Sequence, residues 1–169
     1  FTWVKCGDMF GIIGDTTKIS KEQIKKEAVA TPTSSKILVN GKEKSFNAYN
    51  IDGYNYFKLR DLAAVLRTTE KKFEVTWDND KKAINLISNK PYTMVGGELN
   101  KGDGKTKTAT QNINPIYKDG KEINLTAYTI DGNNYFKLRD IAQAFDFGVT
   151  WNGKTQTIEI NTSTGYVAE

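Results

Sequence analysis

Hydrophobic positions recur with the period of a helix in two short stretches of this chain. They follow the spacing i, i+3, i+4 and i+7: Leu59, Leu62, Ala63 and Leu66, and again Leu138, Ile141, Ala142 and Phe145. Such a stripe is typical of a short amphipathic helix. Each stripe follows a segment in which successive side chains would point to opposite faces of a sheet. The pattern therefore predicts strands followed by one short helix, twice.

Two-residue turns divide the predicted strands into hairpins. Asn40-Gly41 and Asp119-Gly120 are typical of type I′ turns, because these residues tolerate a positive φ. A second turn follows in each copy, at Asp52-Gly53 and Asp131-Gly132. A third hairpin closes each unit, formed by Phe73–Trp77 with Ala83–Leu86, and by Val149–Trp151 with Thr157–Ile160. The predicted order is β-β-β-α-β-β.

The turn at Asp52-Gly53 also predicts which residues are paired. It places Ile51 opposite Tyr54, Tyr49 opposite Tyr56, and Ala48 opposite Phe57. One face then carries Phe46, Ala48, Phe57 and Leu59 and covers the helix. The other face is a candidate aromatic binding face: Tyr49, Tyr54 and Tyr56, with Tyr128 and Tyr135 in the second copy. Either these tyrosines pack across strands or between copies, or they form an exposed platform for a sugar ring or a peptide.

The two copies reflect an internal duplication. Residues 41–63 match residues 120–142 at an offset of 79, with 16 identities in 23 positions. We expect repeat units at 35–95 and 113–169, joined by a polar linker loop over 96–112. Residues 1–30 are a separate segment, in which a capped helix begins near Ser20 and runs to Lys26 or Glu27. A Pro-containing linker over 31–35 follows it.

Composition argues against catalysis and against nucleic-acid binding. The chain has no histidine, so the usual general base and the commonest metal ligand are both missing. Its 24 cationic residues are interleaved with 20 anionic ones, whereas a nucleic-acid binder carries clustered positive charge. No segment approaches the roughly 20 apolar residues of a membrane-spanning helix. We predict no enzyme, no cofactor, no metal site and no membrane span.

Several conspicuous residues have structural explanations. Trp77 and Trp151 lie at strand ends beside turns, which favours half-buried anchors. Arg60 and Arg139 lie at the helix starts, which favours ties to neighbouring carbonyls or carboxylates. A phosphate-loop pattern over residues 148–155 lacks the strand–loop–helix context that would present N–H groups to a phosphate.

Three short motifs occur in both copies. In the first copy they are Val39-Asn40-Gly41-Lys42, the stretch from Tyr56 to Ala63, and Val75-Thr76-Trp77-Asp78. With these motifs each copy resembles the copper amine oxidase N-terminal-like domain, or stalk domain, of exported proteins in Gram-positive bacteria. The resemblance implies an α+β fold in which each unit is a five-stranded antiparallel sheet curved around one short helix. It also implies a non-catalytic appendage located outside the cell or at the cell wall.

A second resemblance concerns the N-terminal segment. Residues 1–8 (Phe-Thr-Trp-Val-Lys-Cys-Gly-Asp) and the helix after Thr16-Thr17 resemble the front half of a lysin motif, a family that binds N-acetylglucosamine-containing glycans. Together the resemblances imply an attachment module of a larger exported protein. Its partner would be cell-wall glycan (peptidoglycan) or another domain or protein at the bacterial surface. The alternative is a protein-interaction or spacer module with no small-molecule ligand.

Overall fold

The chain folds into a mostly-sheet α+β structure. This computed structural model describes residues 26–168. The helices are α1 (Leu59–Leu66) and α2 (Leu138–Phe145). The strands are β1 (Glu27–Pro32), β2 (Lys36–Val39), β3 (Lys42–Glu43), β4 (Ala48–Ile51), β5 (Tyr54–Lys58), β6 (Phe73–Asp78), β7 (Ala83–Ser88), β8 (Lys107–Gln111), β9 (Ile116–Lys118), β10 (Lys121–Ile123), β11 (Ala127–Ile130), β12 (Asn133–Lys137), β13 (Gly148–Asn152) and β14 (Thr157–Asn161).

The predicted lysin-motif resemblance and the capped helix from Ser20 fall almost wholly on residues 1–25, outside the described residues. Among residues 26–168, no helix has the length and apolar character needed to cross a bilayer.

Six strands form a closed barrel in the order β11-β12-β5-β4-β1-β8. Each half of the chain supplies three of these strands. The halves meet at two antiparallel seams, β5 with β12 and β1 with β8. At the first seam Phe57 pairs with its repeat equivalent Phe136. Exchanging the two halves leaves the pairing register of this seam unchanged. The halves therefore associate through the same surface on each, as the subunits of a twofold dimer do.

The first hairpin of each half completes a sheet of the other half. Hairpin β2–β3 lies in a sheet ordered β13-β14-β2-β3, and hairpin β9–β10 lies in one ordered β10-β9-β7-β6. The strands that join the halves run parallel, with Ile37 beside Ile158 and Ile116 beside Ile84. This arrangement differs from the two separate five-stranded sheets that were predicted, because each half depends on the other to complete its sheets.

We call β2–β3 and β9–β10 the exchanged hairpins. The turn of each is hydrogen-bonded to a residue of the other half, near the end of the strand with which the hairpin pairs. Asn40 Oδ1 accepts from the Thr162 N–H at 2.9 Å, and Asn40 Nδ2 donates to the Thr162 hydroxyl at 3.0 Å. At the equivalent position, the Asp119 carboxylate accepts from the Ser88 N–H at 2.9 Å and from the Ser88 hydroxyl at 2.5 Å. The hydrogen bonds from Ser88 lower the pKa of Asp119. Each turn thus fixes its hairpin against the other half.

Two apolar layers follow from the alternation of side chains along the barrel strands. The inner layer fills the barrel: Ala30, Tyr49, Ile51, Tyr56, Ala109, Tyr128, Ile130 and Tyr135. The outer layer lies between the barrel and the helices and includes Phe57, Phe136 and the apolar stripes of α1 and α2. Within it, Phe73 of β6 stacks on Phe145 of α2 with ring centroids 4.3 Å apart. This layer is therefore continuous across the two halves.

The predictions that depend on local sequence are confirmed. Ala48 pairs with Phe57, Tyr49 with Tyr56, and Ile51 with Tyr54. All four predicted type I′ turns have a positive φ at both of their central residues. Both helices bury the predicted stripes. The third hairpin of each unit pairs as expected, and the phosphate-loop pattern lies on one of these hairpins.

Two strands lie where a helix end and loops were predicted. Strand β1 occupies the end of the predicted N-terminal helix and the start of the Pro-containing linker, and β8 occupies part of the predicted linker loop. Pairing of these two strands closes the barrel. Ala30-Thr31 and Ala109-Thr110 are identical at the same offset of 79, so the duplication extends upstream of Gly41. Strands β1 and β8 therefore occupy equivalent positions in the two halves.

The predicted second strand of each unit is divided into two. Strands β3 and β4 separate around residues 44–47, and β10 and β11 separate around residues 124–126. One piece joins an exchanged sheet and the other joins the barrel. In the second unit, Asp140 in the first turn of α2 accepts a hydrogen bond from the Thr126 N–H at 2.9 Å. The helix start therefore holds the break at which the chain changes sheets.

Candidate functional site

Four of the five tyrosines of the candidate binding face lie inside the barrel. Tyr49, Tyr56, Tyr128 and Tyr135 are between 1% and 4% exposed. They pack edge-to-face in two repeat-related pairs, Tyr49 with Tyr135 and Tyr56 with Tyr128, with ring centroids 5.4 Å apart in each pair. Burial raises the pKa of the Tyr56 and Tyr135 hydroxyls. These four side chains pack where the copies meet, so the exposed platform is wrong for them.

The fifth tyrosine lines a groove on the outside of the barrel. Tyr54 is 52% exposed and lies near the β4–β5 turn of the first half, opposite β13 and the start of α2. We call this cleft the Tyr54 groove. Its volume is about 440 Å³, and its wall includes aromatic, amide and cationic side chains: Asn50, Tyr54, Asn55, Lys137, Arg139 and Trp151. The volume is within the roughly 300–1,000 Å³ of small-molecule sites.

Two half-exposed aromatic rings and two cations define the chemistry of the Tyr54 groove. Trp151 is 48% exposed. Lys137 Nζ lies 4.0 Å from the centroid of the Tyr54 ring, a cation–π contact that holds the ammonium at the groove wall. Arg139 Nη1 makes a long hydrogen bond of 3.5 Å to the Val149 carbonyl, which ties the guanidinium to β13. The aromatic rings of the groove can therefore stack against a flat face of a ligand, and its cations can donate hydrogen bonds to polar groups at the edge of that ligand.

The duplication places a second groove at the equivalent position of the other half. This Trp77 groove has a volume of about 130 Å³, and its wall includes Lys58, Arg60, Trp77, Asn133 and Asn134. Trp77 is 47% exposed, nearly the same as Trp151. Asn133 stands where the first groove has Tyr54, so this groove has only one of the two aromatic walls. Its volume falls below the usual range of small-molecule sites.

The two predicted arginine anchors have different partners. Arg139 contacts a carbonyl, as its position predicts. Arg60 Nη1 instead donates to the Tyr92 hydroxyl at 3.2 Å, and its guanidinium carbon lies 5.8 Å from the centroid of that ring. The Tyr92 hydroxyl in turn donates to Glu98 Oε2 at 2.6 Å. Residues of the segment between β7 and β8 therefore hold the arginine of the Trp77 groove.

Glu98 organises part of the segment that was predicted as a linker loop. Besides the Tyr92 hydroxyl, its carboxylate accepts from the Val95 N–H at 2.7 Å and from the Gly96 N–H at 2.8 Å. Partial burial acts to raise the pKa of Glu98. The hydrogen bonds from Tyr92, Val95 and Gly96 outweigh this effect and hold the pKa at about 2. The neighbouring Leu99 N–H donates to the buried Asp61 carboxylate at 2.8 Å. This part of the segment is thus tied to α1.

We expect Glu98→Gln to weaken the dependence of stability on acid pH. Because the folded pKa of about 2 lies below the ordinary 4.5, Glu98 contributes stability that is complete above pH 4.5 and is lost as the pH falls toward 2. At neutral pH the substitution should cost roughly 1 kcal/mol, since its hydrogen bonds are partly exposed. Urea unfolding from pH 2 to 7 measures the effect. The difference in unfolding free energy between the variant and the wild type should become smaller as the pH falls.

A matched control for this measurement is Glu122→Gln. Glu122 is exposed on β10, so its replacement should leave the wild-type pH profile in place. Parallel pH profiles for Glu98→Gln and the wild type would refute the role assigned to the Glu98 carboxylate.

Sequence patterns identified some groove residues and missed others. Tyr54 was predicted as a binding residue and Trp151 and Arg139 as structural anchors, whereas Asn50, Asn55 and Lys137 were not singled out. They lie in strands whose periodicity predicts only strands and turns; Asn55 and Lys137 match Asn134 and Lys58 of the other copy, and Asn50 corresponds to Thr129. The available signal is a difference between the copies: Tyr54 corresponds to Asn133 within a block that otherwise matches closely. Such a difference marks where the two halves present different surfaces.

A family model described as the copper amine oxidase N-terminal domain matches residues 38–160, which are 123 of the 169 residues. No curated protein and no solved structure matches the chain. The matching family model represents a non-catalytic module. The matched region includes both helices and all the described residues that line the two grooves, and it shows that the chain belongs to the copper amine oxidase N-terminal domain family.

Proposed function

We propose that this chain is a non-catalytic attachment module of a larger exported bacterial protein, and that it binds cell-wall glycan in the Tyr54 groove. The observation that carries the proposal is the pair of half-exposed rings, Tyr54 and Trp151, on the wall of one groove. Sugar rings present apolar C–H faces that stack on aromatic side chains, and hydroxyl groups that pair with amides and cations. Asn50, Asn55 and Arg139 supply those polar partners at the same groove.

The location of the groove suits attachment through a rigid body. Its walls come from the β4–β5 turn of one half and from β13 and α2 of the other. Because the two halves share a continuous apolar layer and exchange hairpins, these walls are held relative to each other. A preformed site of this kind loses little conformational freedom on binding. The site therefore depends on the intertwined fold.

Retention on purified peptidoglycan tests the proposal. Trp151→Ala should weaken retention several-fold, since a stacking contact with one aromatic ring is worth roughly 0.5–1.5 kcal/mol beyond the area that it buries. Trp77→Ala is the matched control, because Trp77 has the equivalent position and nearly the same exposure but lies in the smaller groove. It should retain wild-type binding. Thermal unfolding of both variants verifies that they remain folded.

A second variant uses the repeat itself as a guide. Tyr54→Asn installs the residue that the second copy has at position 133, so the backbone of the turn tolerates it. This variant should lose retention as Trp151→Ala does. Equal retention of the wild type and of both groove variants would refute the groove as the site.

The spacer function is the second candidate. It is favoured by the exchange of hairpins, which joins both halves into one body that can hold flanking domains apart. Wild-type protein that is not retained above an unrelated control protein would support the spacer and would refute glycan binding.

A further inference from the structure

One wall of the Tyr54 groove is the outer edge of a β-sheet. Strand β13 is the end strand of its sheet, so no strand among residues 26–168 pairs with its outer side. Val149, Thr150 and Trp151 of this strand line the groove. An edge strand presents main-chain N–H and C=O groups that can pair with another extended chain. The groove therefore combines a strand edge with aromatic rings.

The direction of these main-chain groups follows from the pairing of β13 with β14. The two strands are antiparallel, with Val149 opposite Ile160 and Trp151 opposite Ile158. The Val149 carbonyl accepts a hydrogen bond from Arg139 of α2, so it points away from β14. In an antiparallel strand the N–H and C=O of one residue point to the same side, and every second residue shares that side. Val149 and Trp151 therefore direct their main-chain groups toward the groove.

The equivalent edge in the other half is closed by a side chain. Strand β6 is also the end strand of its sheet, and Glu74 Oε1 accepts a hydrogen bond from the Val75 N–H at 3.0 Å. The buried Glu74 carboxylate also accepts from the Thr93 N–H at 3.1 Å. Strand β13 has Gly148 at the position of Glu74, and glycine has no side chain that could cap the Val149 N–H. The strand edge is thus capped at the Trp77 groove and uncapped in this way at the Tyr54 groove.

We propose that β13 binds the peptide of peptidoglycan as an added strand, while the sugar that carries this peptide stacks on Tyr54 and Trp151. This inference rests on the proposed function and names its ligand, a glycan that bears peptides. In peptidoglycan the peptide is joined to muramic acid, so a sugar on the two rings would place a peptide beside β13. Trp151 supplies both contacts, since its ring is half exposed and its main chain lies on the outer edge. Main-chain hydrogen bonds supply the affinity in strand addition.

Titration calorimetry with three probes tests this inference. The first probe is the N-acetylglucosamine–N-acetylmuramic acid disaccharide, and the second is the same disaccharide with a wall tripeptide on its muramic acid. The third carries that tripeptide methylated on its main-chain nitrogens. The second probe should bind about tenfold more tightly than the first, as expected for two additional main-chain hydrogen bonds. The third should lose this advantage, because methylation removes the N–H donors and leaves the charge of the peptide unchanged.

NMR spectra of the wild-type protein locate the contact. When the tripeptide probe binds, the amide protons of Val149 and Trp151 should shift downfield, because new hydrogen bonds form at the outer edge of β13. The amide of Thr150 is the internal control, since it points toward β14 and should shift much less. The disaccharide alone should not produce the downfield shifts.

A variant that closes the edge uses the other half as its guide. Gly148→Glu introduces the carboxylate that caps β6 in the first half. It is combined with Thr164→Ala, because a Cβ at position 148 would collide with the Thr164 hydroxyl. The double variant should bind the disaccharide as the wild type does and lose the preference for the tripeptide probe. Thr164→Ala alone is the matched control and should keep that preference.

The probes distinguish failure of this inference from failure of the proposed function. Equal affinity of the wild type for the disaccharide and the tripeptide probe would overturn the inference and leave glycan binding standing. A preference that survives methylation of the peptide would also overturn it, because main-chain pairing would not be the cause. No binding of any probe would overturn both.

Discussion

A disulfide is expected to form between residues 38 and 159 when Leu38→Cys and Glu159→Cys are combined in a Cys6→Ser background. Leu38 of β2 and Glu159 of β14 are directly paired across the parallel strands that join the two halves. Both side chains are partly exposed, so neither substitution empties the core. A bridge that closes a loop of this length should stabilise the folded chain by up to about 5 kcal/mol. Counting free thiols and comparing the Tm of the oxidised and reduced protein measure the result.

The control for the bridge distinguishes exchanged hairpins from self-contained units. Asn85 of β7 pairs with Tyr117 of the other half, and Tyr117 is the repeat equivalent of Leu38. In two separate units Leu38 would instead pair with Asn85. Leu38→Cys with Asn85→Cys should therefore stay reduced under conditions that oxidise the first pair. Oxidation of the control pair alone would refute the exchange.

Features that depend on residues close together in the sequence were predicted correctly, whereas pairings between distant residues were not. The turn Asp52-Gly53 sets the register of β4 and β5, because its two residues adopt the positive φ that closes a type I′ turn. The helix stripe of Leu59, Leu62 and Leu66 likewise depends on a spacing within eight residues. Both features were predictable, since neighbouring residues determine them.

The choice of partner for the first hairpin could not be predicted in the same way. Strand β2 can face β7 of its own half or β14 of the other half, and both strands come from copies of one sequence. Ile84 and Ile158, which meet the exchanged strands, are the same residue at equivalent positions. Periodicity therefore cannot rank one partner above the other. Hydrogen bonds such as that of Asn40 with Thr162 involve residues 122 positions apart, beyond any local pattern.

The same limit explains why the candidate site was only partly found. The Tyr54 groove takes Asn50 and Tyr54 from the first half and Lys137 and Trp151 from the second. Each residue has an ordinary structural explanation in its own unit, and their juxtaposition exists only when the halves intertwine. Four tyrosines with the same strand pattern as Tyr54 are enclosed because two aromatic faces close on each other in the barrel. A pattern that repeats cannot indicate which of its copies is covered.

Replacement of Phe57 by alanine should destabilise both halves by the same amount. Phe57 is 0% exposed, packs on Phe46 with ring centroids 5.0 Å apart, and pairs with Phe136 at the seam between β5 and β12. Truncating a fully buried phenylalanine removes its burial energy and leaves a cavity, at a cost of about 3–5 kcal/mol. Because the seam belongs equally to both halves, this loss should shift one shared unfolding transition. Urea unfolding followed by NMR signals from β7 and from β14 measures the two halves separately.

The duplication supplies the comparison that makes this expectation decisive. Phe136→Ala removes the equivalent side chain, which is also 0% exposed, so it should lower the midpoint for both sets of signals by a similar amount. Phe46→Ala is the milder control, since Phe46 is only partly buried and packs at the edge of the outer layer. Two separate transitions, with only the mutated half destabilised, would contradict a shared core. The symmetric register of the seam requires a single transition that either substitution shifts equally. Phe57 and Phe136 lie on paired strands, so the loss of either ring weakens the strand of the other half as well.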